Sequence, residues 1–174
     1  HGQTLCDLGN LKTRPKDGPY NRALIEQQTR RILDAGAVPI MFGGDDSVPI
    51  PFIAAYAEQP AVVILQIDAH IDWRQERRGE PMGFSSTMRR ASEHGHVWRI
   101  VQAGMRGIGS AREPEVRDAL NWGAHIVTAR EVHHKGVGEV LRHIPEDCDC
   151  VITFDCDALD ALLRDASTCD VFWF

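Results

Sequence analysis

The chain has 174 residues, is 43% hydrophobic and carries a formal net charge of -6. This length suits one domain with a substantial core, and no apolar run approaches the roughly 20 residues needed to cross a bilayer. The acidic balance argues against nucleic acid or an anionic membrane as the main partner and favours a small cationic substrate.

Helix and strand patterns alternate along the chain. In order they predict helix 20–35, strand 38–42, a helix from 46 or 47 to about 58, strand 61–67, helix 87–94, strand 100–104, helix 112–122, strand 125–128, helical turns within 131–143 and strand 151–154. Gly36 ends the first helix. Asp46 or Ser47 is the expected cap of the second, and Pro49 suits its first turn. This alternation favours a parallel sheet covered by helices on both faces.

Three short runs of potential metal ligands follow predicted strands. They are GGDDS at 43–47, DAHID at 68–72 and DCDALD at 155–160. Open α/β sheets bind ligands beyond the carboxyl ends of their strands, where all three runs fall. Because alternate side chains of an extended chain share a face, we expect Asp68, His70 and Asp72 to project together. For the same reason we expect Asp155 to project with Asp157.

This donor set predicts a two-metal hydrolytic centre. Carboxylates with few imidazoles and no thiolate favour hard ions such as Mn²⁺ or Mg²⁺, and Mn²⁺ is the preferred assignment. Two ions about 3.5–4 Å apart can share one carboxylate from each strand, for which Asp68 and Asp155 are the natural candidates. A lone D-x-H-x-D is often an accident of a polar loop. The second strand-end run favours metal, because burying so many carboxylates without counter-ions is costly.

From about residue 7 to residue 160 the chain resembles the ureohydrolase family, the arginases, agmatinases and related amidinohydrolases. The runs DAHID at 68–72 and TFDCDALD at 153–160 carry the resemblance, with support from GGD at 43–45 and GMRG at 104–107. The resemblance implies a three-layer α/β/α fold with a mainly parallel sheet. It also implies two Mn²⁺ ions and hydrolysis of a guanidinium group to urea and an amine.

Residue by residue, the resemblance implies two overlapping ligand sets. One ion would be bound by Asp46, Asp68, Asp72 and Asp155, and the other by Asp68, His70, Asp155 and Asp157. Asp68 and Asp155 would thus hold a bridging hydroxide that attacks the guanidinium carbon. The tetrahedral intermediate would then collapse with release of the amine.

Two positions depart from the family pattern. Asp46 stands where the family usually has histidine in a G-G-D-H-S run, and its extra negative charge should weaken activation of the bridging water while attracting a cation. Ser85 stands where a histidine is thought to shuttle protons to the leaving amine, and a serine cannot do so unaided at neutral pH. Either water or a nearby histidine such as His94 or His96 takes this role, or turnover is slow.

The family pattern stops at Asp160. The sequence therefore predicts a single partial domain over 1–174, incomplete at both ends, in which 161–174 lie off the pattern. The family's last strands are absent, so we expect an exposed sheet edge and uncovered apolar surface. A catalytically impaired metal-binding fragment is accordingly the rival to an active enzyme.

The substrate is expected to be a small guanidino compound, agmatine-like by general resemblance. A cluster of arginines near the proposed site is either a solvated face or a means of recognising a substrate carboxylate, which would favour a guanidino acid. Its members are Arg74, Arg77, Arg78, Arg89 and Arg90. A formimino substrate is a more distant alternative. We further expect a cytoplasmic location and, at full length, a homo-oligomer, as is common in the family.

Overall fold

The computed structural model describes residues 4–107 and 111–159. Its strands are β1 (Val62–Ile67), β2 (Val97–Met105), β3 (His125–Thr128) and β4 (Asp149–Phe154). All neighbouring strands are parallel, and they lie in the order β3-β2-β1-β4. The predicted parallel sheet is therefore confirmed. Residues 161–174, which the sequence sets apart, lie outside the described residues.

Six helices accompany these strands in the described part of the chain. They are α1 (Gly18–Asp34), α2 (Pro49–Ala54), α3 (Thr87–Ala91), α4 (Glu113–Trp122), α5 (Ala129–Lys135) and α6 (Gly138–Leu141), with 3₁₀ turns at Ala55–Glu58 and Cys156–Ala158. The helical turns predicted within 131–143 thus divide into parts of α5 and α6, separated at Gly136. None of the described helices is both long and apolar enough to span a membrane.

Helices cover both faces of the sheet, as a three-layer fold requires. Helices α2, α3 and α4 cover one face through a cluster of buried side chains that includes Ile53, Ile64, Met88, Ile100 and Ala119. Helices α5 and α6 cover the other face through Val63, Val101, Val132 and Val140. Apart from Gln66, strand β1 is apolar on both faces because it lies between these layers. The central strand that precedes Asp68 is thereby held rigidly.

Two local predictions are wrong. Residues 38–42 were expected to form a strand, but they pair with no described strand. Three apolar side chains of this segment are largely exposed, at 85% for Val38, 63% for Ile40 and 87% for Phe42. In the described residues, the segment therefore has no neighbouring strand to pair with, and these side chains do not pack into the core. Helix α2 begins at Pro49 after Val48, without the expected side-chain cap. Asp45 instead accepts a hydrogen bond from the Ser47 N–H at 3.0 Å, forming a turn before the helix.

Strand β4 forms one edge of the described sheet, and its outer face is bare. Ile152 and Phe154 are 62% and 56% exposed, whereas Val151 and Thr153, which alternate with them, are buried. This agrees with the expected uncovered apolar surface. The buried face of β4 is the one shared with Ile64 and the helices α2 to α4.

Candidate metal centre

The acidic runs meet at the carboxyl ends of β1 and β4. Asp68 directly follows β1, and its N–H donates to the Ala103 carbonyl of β2 at 3.0 Å. Asp155 directly follows β4, and its N–H donates to the Ile67 carbonyl at 2.9 Å. These bonds continue the sheet ladder by one residue, so both backbones are fixed where the carboxylates begin.

Two groups of ligand atoms converge there. In each group, one ligand atom per residue lies within 4.8 Å of the others. The groups are Asp46, Asp68 and Asp155, and Asp68, His70 and Asp157. Asp68 belongs to both groups, as its predicted bridging position requires, whereas Asp155 belongs to the first alone.

The convergence does not arise from alternation along extended strands, so that part of the prediction is wrong. Strand β1 ends at Ile67, and Asp72 has a left-handed backbone with φ of 46°. Asp68 curls the chain by accepting a hydrogen bond from the His70 N–H at 2.6 Å. Asp155 does the same with the Asp157 N–H at 2.9 Å. Local turns built by the aspartates bring the ligands together.

His70 links the two runs on the solvent side of the centre. Its Nδ1 lies 3.0 Å from an oxygen of Asp157 and 3.3 Å from an oxygen of Asp68. The His70 side chain is 49% exposed, whereas that of Asp68 is 2% exposed. The Ala69 N–H donates to the other oxygen of Asp157 at 3.1 Å, which fixes that carboxylate against the first run. The second group therefore faces the entrance of the site.

Asp72 lies behind the first group and belongs to neither convergent set, although it was predicted as a ligand. Its carboxylate accepts a hydrogen bond from the Gln66 amide at 2.7 Å, and the same amide donates to Asp68 at 2.8 Å. Burial raises the pKa of Asp72 well above its usual value, and the negative charge of Asp46 adds to the effect. Asp72 is thus close enough to the cluster to share its electrostatics.

The buried carboxyls of the cluster hold protons strongly. Burial, together with the charges of Asp68 and Asp155, raises the pKa of Asp46 to about 8 against the opposing effect of hydrogen bonds. Burial also raises the pKa of Asp68 to about 8, with the charge of Asp72 as the next cause. One carboxyl oxygen of Asp46 is buried and has no hydrogen-bond partner among the described residues. Carboxylate oxygens that are crowded together, one of them without a hydrogen-bond partner in the described part of the chain, are suitable ligands for a hard divalent cation.

Arg106 holds the third acidic run in place, a role that the sequence did not reveal. Its guanidinium donates to the carbonyls of Ala158 at 2.8 Å and Leu159 at 2.7 Å, and also to that of Asp157. Its own N–H donates to the Ala69 carbonyl at 3.0 Å. Arg106 therefore ties the turn after β4 to the run after β1. The GMRG motif marked the position but not this contact.

Gly104 allows the β2 backbone to approach Asp68. Its φ is +104°, and a Cβ at this position would lie 2.8 Å from the Asp68 carbonyl oxygen. A side chain here would push against the backbone of the residue that both ligand groups share. The need for glycine is therefore steric as well as conformational.

Ser85 lies in the loop before α3, close to the loop that carries Asp46. Its hydroxyl oxygen is buried, and within residues 4–107 and 111–159 it has no hydrogen-bond partner. Two residues later, Thr87 donates to the backbone carbonyl of Asp46 and so joins the two loops. Sequence reasoning missed Thr87, which is fully buried.

The histidines suggested as substitutes for the proton shuttle are at the wrong end of the sheet. The His96 carbonyl accepts a hydrogen bond from the N–H of Val62, the first residue of β1. Asp68 lies six residues further along, a separation of roughly 20 Å in a strand. The rings of His94 and His96 lie beside each other at a tilt, with centroids 5.1 Å apart. That suggestion is therefore wrong.

Most of the arginine cluster lines a cleft of about 770 Å³ beside the acidic runs. The lining charged residues are Arg74, Arg77, Arg78, Arg89, Arg112, Glu76, Glu115 and Asp118. Some of these charges are paired, since Arg74 lies 3.6 Å from Glu115. Arg90 does not line the cleft and instead pairs with Glu93 at 2.9 Å. The Arg89 N–H donates to the Asp72 carbonyl at 3.1 Å, which joins the cleft to the acidic centre.

Comparisons with known proteins agree with this architecture. The model of the Arginase family matches residues 1–166. A guanidinobutyrase from Pseudomonas aeruginosa is 31% identical over 90% of this chain and 50% of its own, and a mitochondrial agmatinase from Gallus gallus is 30% identical over 90% and 47%. Formimidoylglutamase from Bacillus subtilis superposes with a TM-score of 0.81 and 25% identity, over 92% of this chain and 52% of its own. The chain spans about half the length of these relatives.

Proposed function

Because the chain belongs to the Arginase family, we propose that its acidic centre binds two divalent cations, Mn²⁺ by preference, and hydrolyses the guanidinium group of a small agmatine-like substrate. Urea and an amine would be the products. The observation that carries this proposal is the sharing of Asp68 by two groups of convergent ligands. A residue shared in this way can hold two cations close together.

The residues would form two ligand sets, one for each cation. Asp46, Asp68 and Asp155 would hold one cation with Asp72 beside them, and Asp68, His70 and Asp157 would hold the other. When bound, a pair of divalent cations supplies Lewis acidity and a nucleophile near neutral pH. The carboxylates themselves attract a cationic guanidinium towards the carboxyl ends of the strands.

Proton delivery to the leaving amine is the weak step of this centre. Ser85 cannot shuttle protons at neutral pH, and His94 and His96 lie near the opposite end of the strands. Water would then serve this step. Since a positioned acid–base group contributes about 10²–10⁴-fold, we expect slow turnover and an acceleration by Ser85→His.

The test is urea release by the full chain with Mn²⁺, measured with agmatine, arginine, guanidinobutyrate and guanidinopropionate. Ammonia release from formiminoglutamate covers the formimino alternative. Activity with any guanidino substrate that Asp155→Ala abolishes and that Asp34→Ala, on the exposed end of α1, retains would support the proposal. Tight binding of Mn²⁺ without product from any substrate would refute it and favour the impaired metal-binding fragment.

A guanidino acid is the second candidate substrate, and the arginine cleft is the observation that favours it. The cleft has five arginines against three acidic residues and adjoins Asp72. One relative is itself named a guanidinobutyrase. If the cleft binds a substrate carboxylate, Arg77→Met should raise KM for guanidinobutyrate and leave KM for agmatine unchanged. A cytoplasmic location and a homo-oligomer stay predictions.

A further inference from the structure

A row of polar side chains crosses the sheet directly beneath the acidic centre. Gln66 in β1 is in register with Gln102 in β2 and with Thr153 in β4. Gln66 and Gln102 are fully buried, and Thr153 is 7% exposed. Their neighbours along the strands are Val, Ile and other apolar residues, so each buried amide requires hydrogen-bond partners.

The two amides form a directed chain of hydrogen bonds. The Gln102 amide nitrogen donates to the Ile71 carbonyl at 2.8 Å and to the Gln66 side-chain oxygen at 2.6 Å. Because a backbone carbonyl can only accept, it fixes which end of the Gln102 side chain carries the donors. Gln102 in turn requires the Gln66 oxygen to face it. The hydrogen bond from Gln102 therefore fixes the orientation of the Gln66 amide.

This orientation points both hydrogens of the Gln66 amide at the acidic centre. The amide nitrogen lies 2.8 Å from an oxygen of Asp68 and 2.7 Å from an oxygen of Asp72. The reversed amide would place its oxygen against two carboxylates and would also break the bond from Gln102. A single side chain thus bridges two acidic groups that would otherwise repel each other.

We propose that Gln66, oriented by Gln102, is a positioning residue that holds Asp68 and Asp72 in the spacing required for divalent-cation binding. The inference rests on the proposed function in that it takes these carboxylates to belong to a metal centre. Hydrogen-bonded partners of metal ligands fix ligand orientation, and their loss typically weakens metal affinity about 10–100-fold. A glutamine that only filled the core would have no such effect.

The test compares Mn²⁺ binding by calorimetry in the full chain and three variants. Gln66→Met keeps the length of the side chain and removes both donors, whereas Gln102→Met leaves Gln66 in place and removes its orienting bond. Gln27→Met, on the exposed surface of α1, is the matched control. We expect a Kd about 10–100-fold higher for Gln66→Met, a smaller increase for Gln102→Met and no change for the control.

Two further measurements separate positioning from stability. Electron paramagnetic resonance at two equivalents of Mn²⁺ should show a coupled pair in the wild-type chain and a loss of coupling in Gln66→Met. Thermal unfolding without metal reports the purely structural cost of each substitution. A lower Tm with an unchanged Kd and coupling would overturn the proposal, and so would an unchanged Kd for Gln102→Met if Gln66→Met does not fold. No binding by the wild-type chain would overturn the proposed function as well.

Discussion

The two ends of the sheet both contain clusters of potential metal ligands, but they differ in physical character. At the amino ends, His94 lies beside His96, and the rings of His125 and His143 stack with centroids 4.4 Å apart. His96 contacts the Ile53 carbonyl at 3.0 Å, and Arg99 donates to the His143 carbonyl. At the carboxyl ends, like-charged carboxylates are buried together. In the described residues, both convergent ligand groups lie at the carboxyl ends.

The difference teaches that the type of residue is not sufficient to mark a site. Stacked histidines can remain neutral, so their proximity costs little. Burial lowers the pKa of His94 and of His125, which favours that neutral form. Buried aspartates repel one another unless they hold protons or bind a cation. The acidic end is therefore the one that calls for a ligand.

The largest predicted effect comes from removing the shared residue. Asp68→Asn should eliminate binding at both cation positions, since both ligand groups contain Asp68. The loss should exceed the roughly 10–100-fold that removal of an outer hydrogen-bond partner costs. His125→Asn, at the amino end, should leave Mn²⁺ affinity unchanged. Calorimetry and urea release measure both effects. Equal losses of Mn²⁺ affinity in the two variants would show that the two ends of the sheet do not differ in metal binding.

A smaller loss is expected from Arg106, which contacts the backbone of the third acidic run. Arg106→Met should weaken Mn²⁺ binding by about 10-fold, because three carbonyls lose charge-assisted donors and the turn that bears Asp157 is freed. Arg106→Lys should recover only part of this, since lysine lacks the planar fork. Arg117→Met, at an exposed position of α4, is the control. Identical affinities for Arg106→Met and Arg117→Met would contradict the role.

The sequence predicted the sheet and the ligand positions for a simple reason. Apolar runs as continuous as Val62–Ile67 indicate a buried strand, and the polar residue after such a run marks its carboxyl end. Residues 38–42 have a comparable pattern but pair with no described strand, and no local pattern can supply a partner. Gln66 appears in the sequence only as a polar exception within a strand. Its role emerges once the register places Gln102 beside it.

The last prediction concerns the pH dependence of stability, to which the two ends should contribute in opposite directions. In the metal-free protein, Asp46 and Asp68 have a pKa of about 8 and that of Asp72 is also raised, whereas unfolded aspartates titrate near 3.8. The folded state therefore binds more protons than the unfolded chain between these values, so these groups make the free energy of unfolding fall as pH rises from about 4 to about 8. His94 and His125, whose pKa values are lowered from 6.5, contribute stability that is present above that value and is lost as pH falls.

Urea denaturation from pH 5 to pH 9 in the presence of a chelator separates the two contributions. Asp72→Asn removes one of the carboxyls whose pKa is raised and should reduce the fall in unfolding free energy with rising pH, whereas His125→Asn should reduce the opposing rise below about pH 6.5. Identical pH slopes for wild type and Asp72→Asn would show that the acidic cluster is not protonated as inferred. Because a cation must displace those same protons, Mn²⁺ affinity should increase with pH up to about 8 and then level off.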